Sequence, residues 1–207
     1  MKSIIFDVDG TLWDTTEVVA RAWNRAITKV GGTAAVITAP MLKKEFGKTM
    51  DVIANNLFHD ALPEKRELIL QQCCHCEHED LEKSTEDLLF PNVKETIRKL
   101  SKKCSLFIVS NCQSGYIELF LKKTGLEKYI TDYECFGDTG KNKGENIKLI
   151  IERNKLDDAV YVGDTQGDYE ATVFAGIPFI YASYGFGNAE KYYLSVSDIK
   201  ELLDLAE

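Results

Sequence analysis

Asp7 and Asp9 are carboxylates two positions apart, and they follow the apolar run Ile4-Ile5-Phe6 directly. Such a run is the pattern of a strand buried on both faces. Paired acids at its end are costly unless something cationic stands beside them. If the strand continues through Asp9, both side chains lie on one side of it, and Gly10 permits a sharp turn away. A hard, oxygen-seeking ion such as Mg²⁺ binds through one or two such carboxylates and keeps several waters. The competing reading is an Asp-Gly turn facing solvent. A second acidic pair weighs against that reading: Gly163-Asp164-Thr165-Gln166-Gly167-Asp168 follows another apolar run. The competing reading of Asp168 alone is an acid favoured by a helix N-terminus, and it is the weaker of the two.

Bringing these acids together requires strands that end at one edge of a sheet. Between residues 14 and 90 no strand pattern occurs. Val18, Val19, Ala22, Trp23, Ala26, Ile27 and Val30 recur at helical spacing, and Gly31-Gly32 closes the run. Helices are predicted over 39–46, 49–58 and about 63–82, the last opened by Pro63. Beyond them, a helix starts at Pro91-Asn92, and Ser105-Leu106-Phe107-Ile108-Val109 reads as a buried strand ending in Ser110-Asn111. The remaining pattern is helix 114–124, strand 131–136, a polar loop from Lys141 to Gly144, helix 145–154, strand 158–163, helix 168–175, strand 177–182 and helix 197–205. Alternating strands and helices predict an α/β fold with a Rossmann-like, doubly wound parallel sheet. An all-helical cap is inserted after the first strand. The expected core is 1–14 plus 89–207, and the expected cap is 15–88. Ligands of such sheets bind at the carboxyl ends of the strands, where Asp7, Asp9, Ser110 and Asp164 all fall.

The 207 residues carry a formal charge of −8 and 44% hydrophobic residues, ordinary for a folded globular chain. No basic run marks a nucleic-acid or membrane surface, and no stretch reaches the roughly 20 apolar residues needed to span a bilayer. With strand residues starting right after Met1-Lys2-Ser3 there is no room for a signal peptide. A cytoplasmic location is therefore expected, with no nucleic-acid and no membrane partner. The six cysteines are then free thiols.

The succession Asp-x-Asp-Gly-Thr, apolar strand plus Ser, loop Lys, and Gly-Asp-x-x-x-Asp resembles the haloacid dehalogenase (HAD) superfamily over nearly the whole chain. The helical insertion resembles the cap of its phosphoglycolate phosphatase and β-phosphoglucomutase branch. The resemblance implies Asp7 as nucleophile and Asp9 as general acid/base, the latter also offering its backbone carbonyl to the metal. It implies Ser110 as a phosphoryl-binding hydroxyl, with Asn111 adding an amide contact. Asp164 matches the direct Mg²⁺ ligand, and Asp168 the acid supporting the metal or the lysine. Asp9 points to phosphoryl transfer, because dehalogenases proper lack that second acid. The lysine lies in Gly140-Lys141-Asn142-Lys143-Gly144, which lacks the proline usual in the family. Counting back from the helix favours Lys141. The tight Lys143-Gly144 step favours Lys143, which we take as the catalytic and phosphate-binding lysine.

Two other features compete for attention. Cys73-Cys74-His75-Cys76-Glu77-His78 resembles a metal cluster, but structural zinc wants two separated ligand pairs, so these read as thiols of a cap helix. Tyr181, Tyr184, Phe186, Tyr192 and Tyr193 read as packing, with Gly185-Phe186-Gly187 a loop near the site's rim. Trp23, Phe46, Lys48 and Phe58 are candidate cap contacts. The expected activity is that of a Mg²⁺-dependent phosphatase hydrolysing a small phosphorylated metabolite through an aspartyl-phosphate. The rivals are a β-phosphoglucomutase-like phosphotransferase and a non-catalytic binding protein on the same fold.

Overall fold

The computed structural model describes residues 2–205. Met1, Ala206 and Glu207, which the expected core range includes, lie outside the described residues. Among the described residues six parallel strands form one sheet: β1 (Ser3–Phe6), β2 (Ser105–Ser110), β3 (Asp132–Cys135), β4 (Ala159–Gly163), β5 (Phe179–Ala182) and β6 (Leu194–Val196). Their spatial order is β3-β2-β1-β4-β5-β6. The strand between β2 and β4 is β1, and all four of its residues are buried. Period-two alternation sorts the side chains. Ile4, Phe6, Leu106, Ile108, Val160 and Val162 join the larger core cluster. On the opposite face Ile5, Phe107, Val109, Tyr161 and Phe179 meet Ile147, Ile150 and Ala171. Those last three come from α8 (Lys143–Asn154) and α9 (Gln166–Ala175).

Four helices follow β1 without an intervening strand: α1 (Thr16–Val30), α2 (Ala39–Glu45), α3 (Met50–Leu57) and α4 (Pro63–Lys83). The buried face of α1 includes Val19, Ala22, Trp23, Ala26 and Ile27, and Gly31 at φ +66° ends the helix. On α4 the buried positions Ile69, Cys73, Cys76, Glu77 and Leu81 recur at three- and four-residue spacing. One of these is an acid. Beyond the insertion come α5 (Val93–Leu100), α6 (Tyr116–Thr124), the short α7 (Phe136–Thr139) and, last, α10 (Leu202–Leu205). Among the described residues no helix is long and apolar enough to cross a membrane.

Several element boundaries differ from expectation. β1 ends at Phe6 rather than running through Asp9. α8 starts at Lys143, two positions early, because Asn142 caps it by accepting the Glu145 amide at 3.0 Å while Glu145 accepts the Asn142 amide at 3.1 Å. The third strand stops at Cys135, where α7 begins. β6 has no sequence signal because two of its three residues are exposed. The predicted helix over 197–205 is a 3₁₀ turn, Ile199–Glu201, followed by α10.

Candidate active site

Sheet register brings the site together. Phe6 pairs with Ile108 on one side and Val162 on the other, so Asp7, Ser110 and Asp164 emerge at the same edge. The Asp7 amide extends the ladder by one bond, donating to Val162 O at 2.9 Å. The chain then folds tightly, with Val8 O accepting from Leu12 N at 2.8 Å and Trp13 N at 3.2 Å. Gly10 sits at φ +82°, and a Cβ there would run into the Asp164 carboxylate. Its lack of a side chain is what lets the two acidic segments meet.

Lys143, the first residue of α8, reaches back into this edge. Its ammonium lies 2.8 Å from Asp7 Oδ1 and 2.5 Å from Asp168 Oδ1, and all three groups are buried. Lys141 is exposed on the preceding loop. Asp168 is anchored by its second oxygen, which accepts from Thr165 N at 2.9 Å, Thr165 Oγ1 at 2.7 Å and Asp164 N at 3.2 Å. This is a capping box at the start of α9. The Tyr161 hydroxyl donates to Val109 O at 2.8 Å and lies 3.4 Å from Asp168 Oδ1. Asp164 is fully buried, and its Oδ2 accepts from Phe186 N at 2.7 Å and Gly187 N at 3.2 Å.

Burial raises the Asp7 carboxyl to about 6, with the Lys143 charge opposing the shift and the Asp168 charge adding to it. Burial raises Asp164 to about 8, reinforced by the negative charges of Asp168 and Asp7. For Lys143 burial acts downward, but Asp168 and Asp7 more than reverse it and hold the ammonium charged above its ordinary value.

Ligand oxygens of Asp7, Asp164 and Asp168 all lie within 4.8 Å of one another. Asp7 Oδ2 and Asp164 Oδ1 are buried without a hydrogen-bond partner. Two buried carboxylate oxygens without a partner are an uncompensated electrostatic cost. An all-oxygen donor set of this kind fits Mg²⁺.

The Asp9 carboxylate stands outside that group. Its Oδ1 accepts from Tyr116 Oη at 2.7 Å and Thr15 Oγ1 at 3.3 Å. Burial holds Asp9 well above the usual carboxylate range, with the Tyr116 bond opposing the shift. Asp9 nonetheless lines the same cavity as Asp7, Ser110 and Asn111. Asn111 donates through Nδ2 to Gly47 O across the cleft at 2.8 Å. From the insertion, Phe46, Lys48, Met50, Ile53 and Glu77 close the cavity, leaving a free volume of 20 Å³. Of the four candidate cap contacts, Phe46 and Lys48 therefore face the site. Trp23 and Phe58 are fully buried and pack on each other at 6.0 Å.

Sequence reasoning missed Tyr161, Tyr116, Glu77 and the amides of Phe186 and Gly187. Tyr161 hides in an apolar strand, and Tyr116 and Glu77 occupy ordinary helical positions. The glycines flanking Phe186 were the one local signal of close backbone approach. A Cβ at Gly185 would collide with Gly10 O and the Asp164 side chain. In the cysteine segment, Cys73 and Cys76 are core residues, while His75 faces Glu79 at 3.6 Å and His78 is exposed.

A parallel α/β sheet with an acid-lined carboxyl edge and a helical cap defines a HAD-type hydrolase core. The sequence profile of the haloacid dehalogenase-like hydrolases matches residues 4–182, and the chain belongs to this family. It is a phosphatase acting on phosphoric monoesters. A phosphoglycolate phosphatase of Vibrio cholerae is 29% identical over 222 aligned positions, covering 99% of this chain and 96% of that protein. One from Yersinia pestis is 26% identical, covering 92% and 84%. A crystal structure of a predicted phosphoglycolate phosphatase from Haemophilus somnus superposes with a TM-score of 0.88 at 21% identity, covering 100% of this chain and 98% of that one. A haloacid dehalogenase-like hydrolase from Streptococcus pneumoniae gives 0.85 at 17% identity, covering 100% and 99%. At such identities the superpositions speak for the fold.

Proposed function

We propose that the chain is a Mg²⁺-dependent phosphatase that hydrolyses a small phosphorylated metabolite through an aspartyl-phosphate on Asp7. The observation that carries this reading is the division of labour on the Asp7 carboxylate. Lys143 binds one oxygen, and the other, Oδ2, is buried and unpartnered at the cavity. That free oxygen attacks phosphorus, and the bond from phosphorus to the alcohol oxygen breaks. Asp9, whose burial favours its protonated form, gives its proton to the departing oxygen. As a carboxylate it then takes a proton from water, whose oxygen displaces Asp7 from phosphorus and frees inorganic phosphate. Asp7, Asp164 and the Asp9 carbonyl, with Asp168 in support, would hold Mg²⁺, which would supply neutralisation of the phosphoryl oxygens. The Lys143 ammonium adds positive charge, and the Ser110 hydroxyl faces the same cavity to donate to a phosphoryl oxygen.

The cap, taken as 15–88, controls access. A free volume of 20 Å³ holds about one water, so the cap opens to admit substrate and closes to exclude solvent. Its two linkers run side by side, with Asp14 N donating to Leu88 O at 2.8 Å and Trp13 bridged to Leu89, which makes this pair the hinge. Asn111 latches the closed state through Gly47.

The test is phosphate release from a panel of phosphomonoesters, phosphoglycolate included, with and without Mg²⁺, beside Asp7→Asn. Mg²⁺-dependent release by the wild type, reduced at least about a thousandfold in the variant, is the expected result. Full activity in Asp7→Asn overturns the reading.

A further inference from the structure

Glu77 is an acid inside the cavity with only neutral groups bound to it. It is 3% exposed on α4. Its Oε2 accepts from Trp23 Nε1 at 2.7 Å and its Oε1 from Gln113 Nε2 at 2.9 Å. Each oxygen keeps acceptor capacity. A purely structural carboxylate at this position is hard to account for, since apolar side chains of similar volume often serve at least as well in a core.

The other cap groups facing the cavity are Phe46, Met50 and Ile53, which are apolar, the Gly47 backbone, and Lys48. The Lys48 ammonium is already 2.9 Å from Glu45 and is 43% exposed. From the core side, Asp7 and Asp9 face the same space. The phosphoryl end of a substrate would meet Lys143, Ser110 and the metal. Its other end would meet apolar walls, Glu77, the amides of Asn111 and Gln113, already given to Gly47 O and Glu77, and Lys48, whose ammonium is paired with Glu45. A carboxylate there would place a second anion against Glu77 in a water-poor space, where like charges repel most strongly. A hydroxyl or ammonium would instead donate to Glu77.

We propose that Glu77 selects phosphomonoesters of small alcohols that carry a hydroxyl or ammonium donor and no carboxylate. This rests on the phosphatase reading of the site. It separates this chain from what the names of its relatives suggest, because phosphoglycolate carries a carboxylate beside its phosphate.

The experiment compares kcat/KM on ethanolamine phosphate, α-glycerophosphate, phosphoglycolate and p-nitrophenyl phosphate, the last having neither donor nor carboxylate on its ring. Wild type is expected to favour at least one of the first two over phosphoglycolate by about a hundredfold or more. Ethanolamine phosphate leading identifies charge pairing, and α-glycerophosphate leading identifies a neutral hydrogen bond. Glu77→Gln keeps an acceptor for Trp23 and removes the charge. Its ratio of phosphoglycolate to p-nitrophenyl phosphate turnover should rise about tenfold or more, a change that general damage to the fold would not produce. Phosphoglycolate as the best wild-type substrate, or an unchanged ratio in Glu77→Gln, overturns the proposal. If the variant fails to fold, the wild-type ranking alone decides. No turnover of any ester, p-nitrophenyl phosphate included, overturns the phosphatase reading and this proposal with it.

Discussion

Lys143 Nζ lies 2.8 Å from Asp7 Oδ1, joining the first turn of a helix to the tip of a strand 136 positions earlier. The same ammonium holds Asp168, so two buried acids share one buried cation. Removing that cation leaves two carboxylates uncompensated. Lys143→Ala should therefore destabilise the fold by about 3–5 kcal/mol, read from urea unfolding without metal, and should abolish phosphate release. Stability equal to wild type would show that the triad is not charged as described.

Mg²⁺ should stabilise the protein by pairing the orphaned Asp164 oxygen and offsetting the negative charge of Asp7 beside it. At about 100 times its Kd the ion contributes roughly 2.7 kcal/mol, a rise in Tm of roughly 5–10 °C for a chain of this size. Burial places Asp164 at about 8 without metal, so the ion must displace a proton. The rise should therefore be larger near about pH 8.5 than near about pH 6. Asp164→Asn should remove most of it, as thermal melts with and without Mg²⁺ would show.

Tyr116 positions Asp9 through a 2.7 Å hydrogen bond that lowers the carboxyl's pKa. Tyr116→Phe deletes that bond, so the Asp9 pKa rises further. The step that needs ionised Asp9, water activation, should then slow by about tenfold, within the usual range for general-base contributions. The ascending limb of the kcat profile against pH should move to higher pH. A profile unchanged in shape and position would remove Tyr116 from this role.

Glu77 should make stability fall as pH rises. Burial raises its pKa from 4.5 to about 7, with the Gln113 and Trp23 bonds opposing the shift. Because the folded value lies above the unfolded one, its contribution is fully present below 4.5 and is lost as pH climbs through about 7. The swing is on the order of 3 kcal/mol at most. In Glu77→Gln, this part of the pH dependence should vanish from denaturant melts taken across that interval.

Much of the site was legible because its acids are tied to local patterns. Asp7 and Asp164 each end an apolar run, and a buried strand must end where its side chains change character. Asp168 follows at the spacing of a helix N-terminus, where Thr165 caps it. Ser110 ends the strand that pairs with β1. The choice between the two lysines was not legible from the ladder of hydrophobic residues. It turned on Asn142, whose capping box starts α8 two positions early and places Lys143 in the helix's first turn.

Tyr161, Tyr116 and Glu77 were invisible for a different reason. Each sits on an element whose periodicity says only that the position is buried. Burial has one signature in sequence, whether the side chain is packed for its area or held for its polar tip. What distinguishes them is the partner, and the partners lie far along the chain: Asp9 and Tyr116 are 107 positions apart, Trp23 and Glu77 54.

Five of the six strands, the helical insertion and the acids at the strand ends could be read from the sequence, because each is written in short-range pattern and residue type, and the resemblance of its motifs to a known family implied the class of chemistry. The folded chain was needed to show which lysine bridges Asp7 and Asp168, that Asp9 turns from the acidic cluster towards Tyr116, and that the cap presents a carboxylate to the cavity. Those outcomes depend on distances between segments remote in the chain, which packing of the cap and sheet sets and no local pattern encodes.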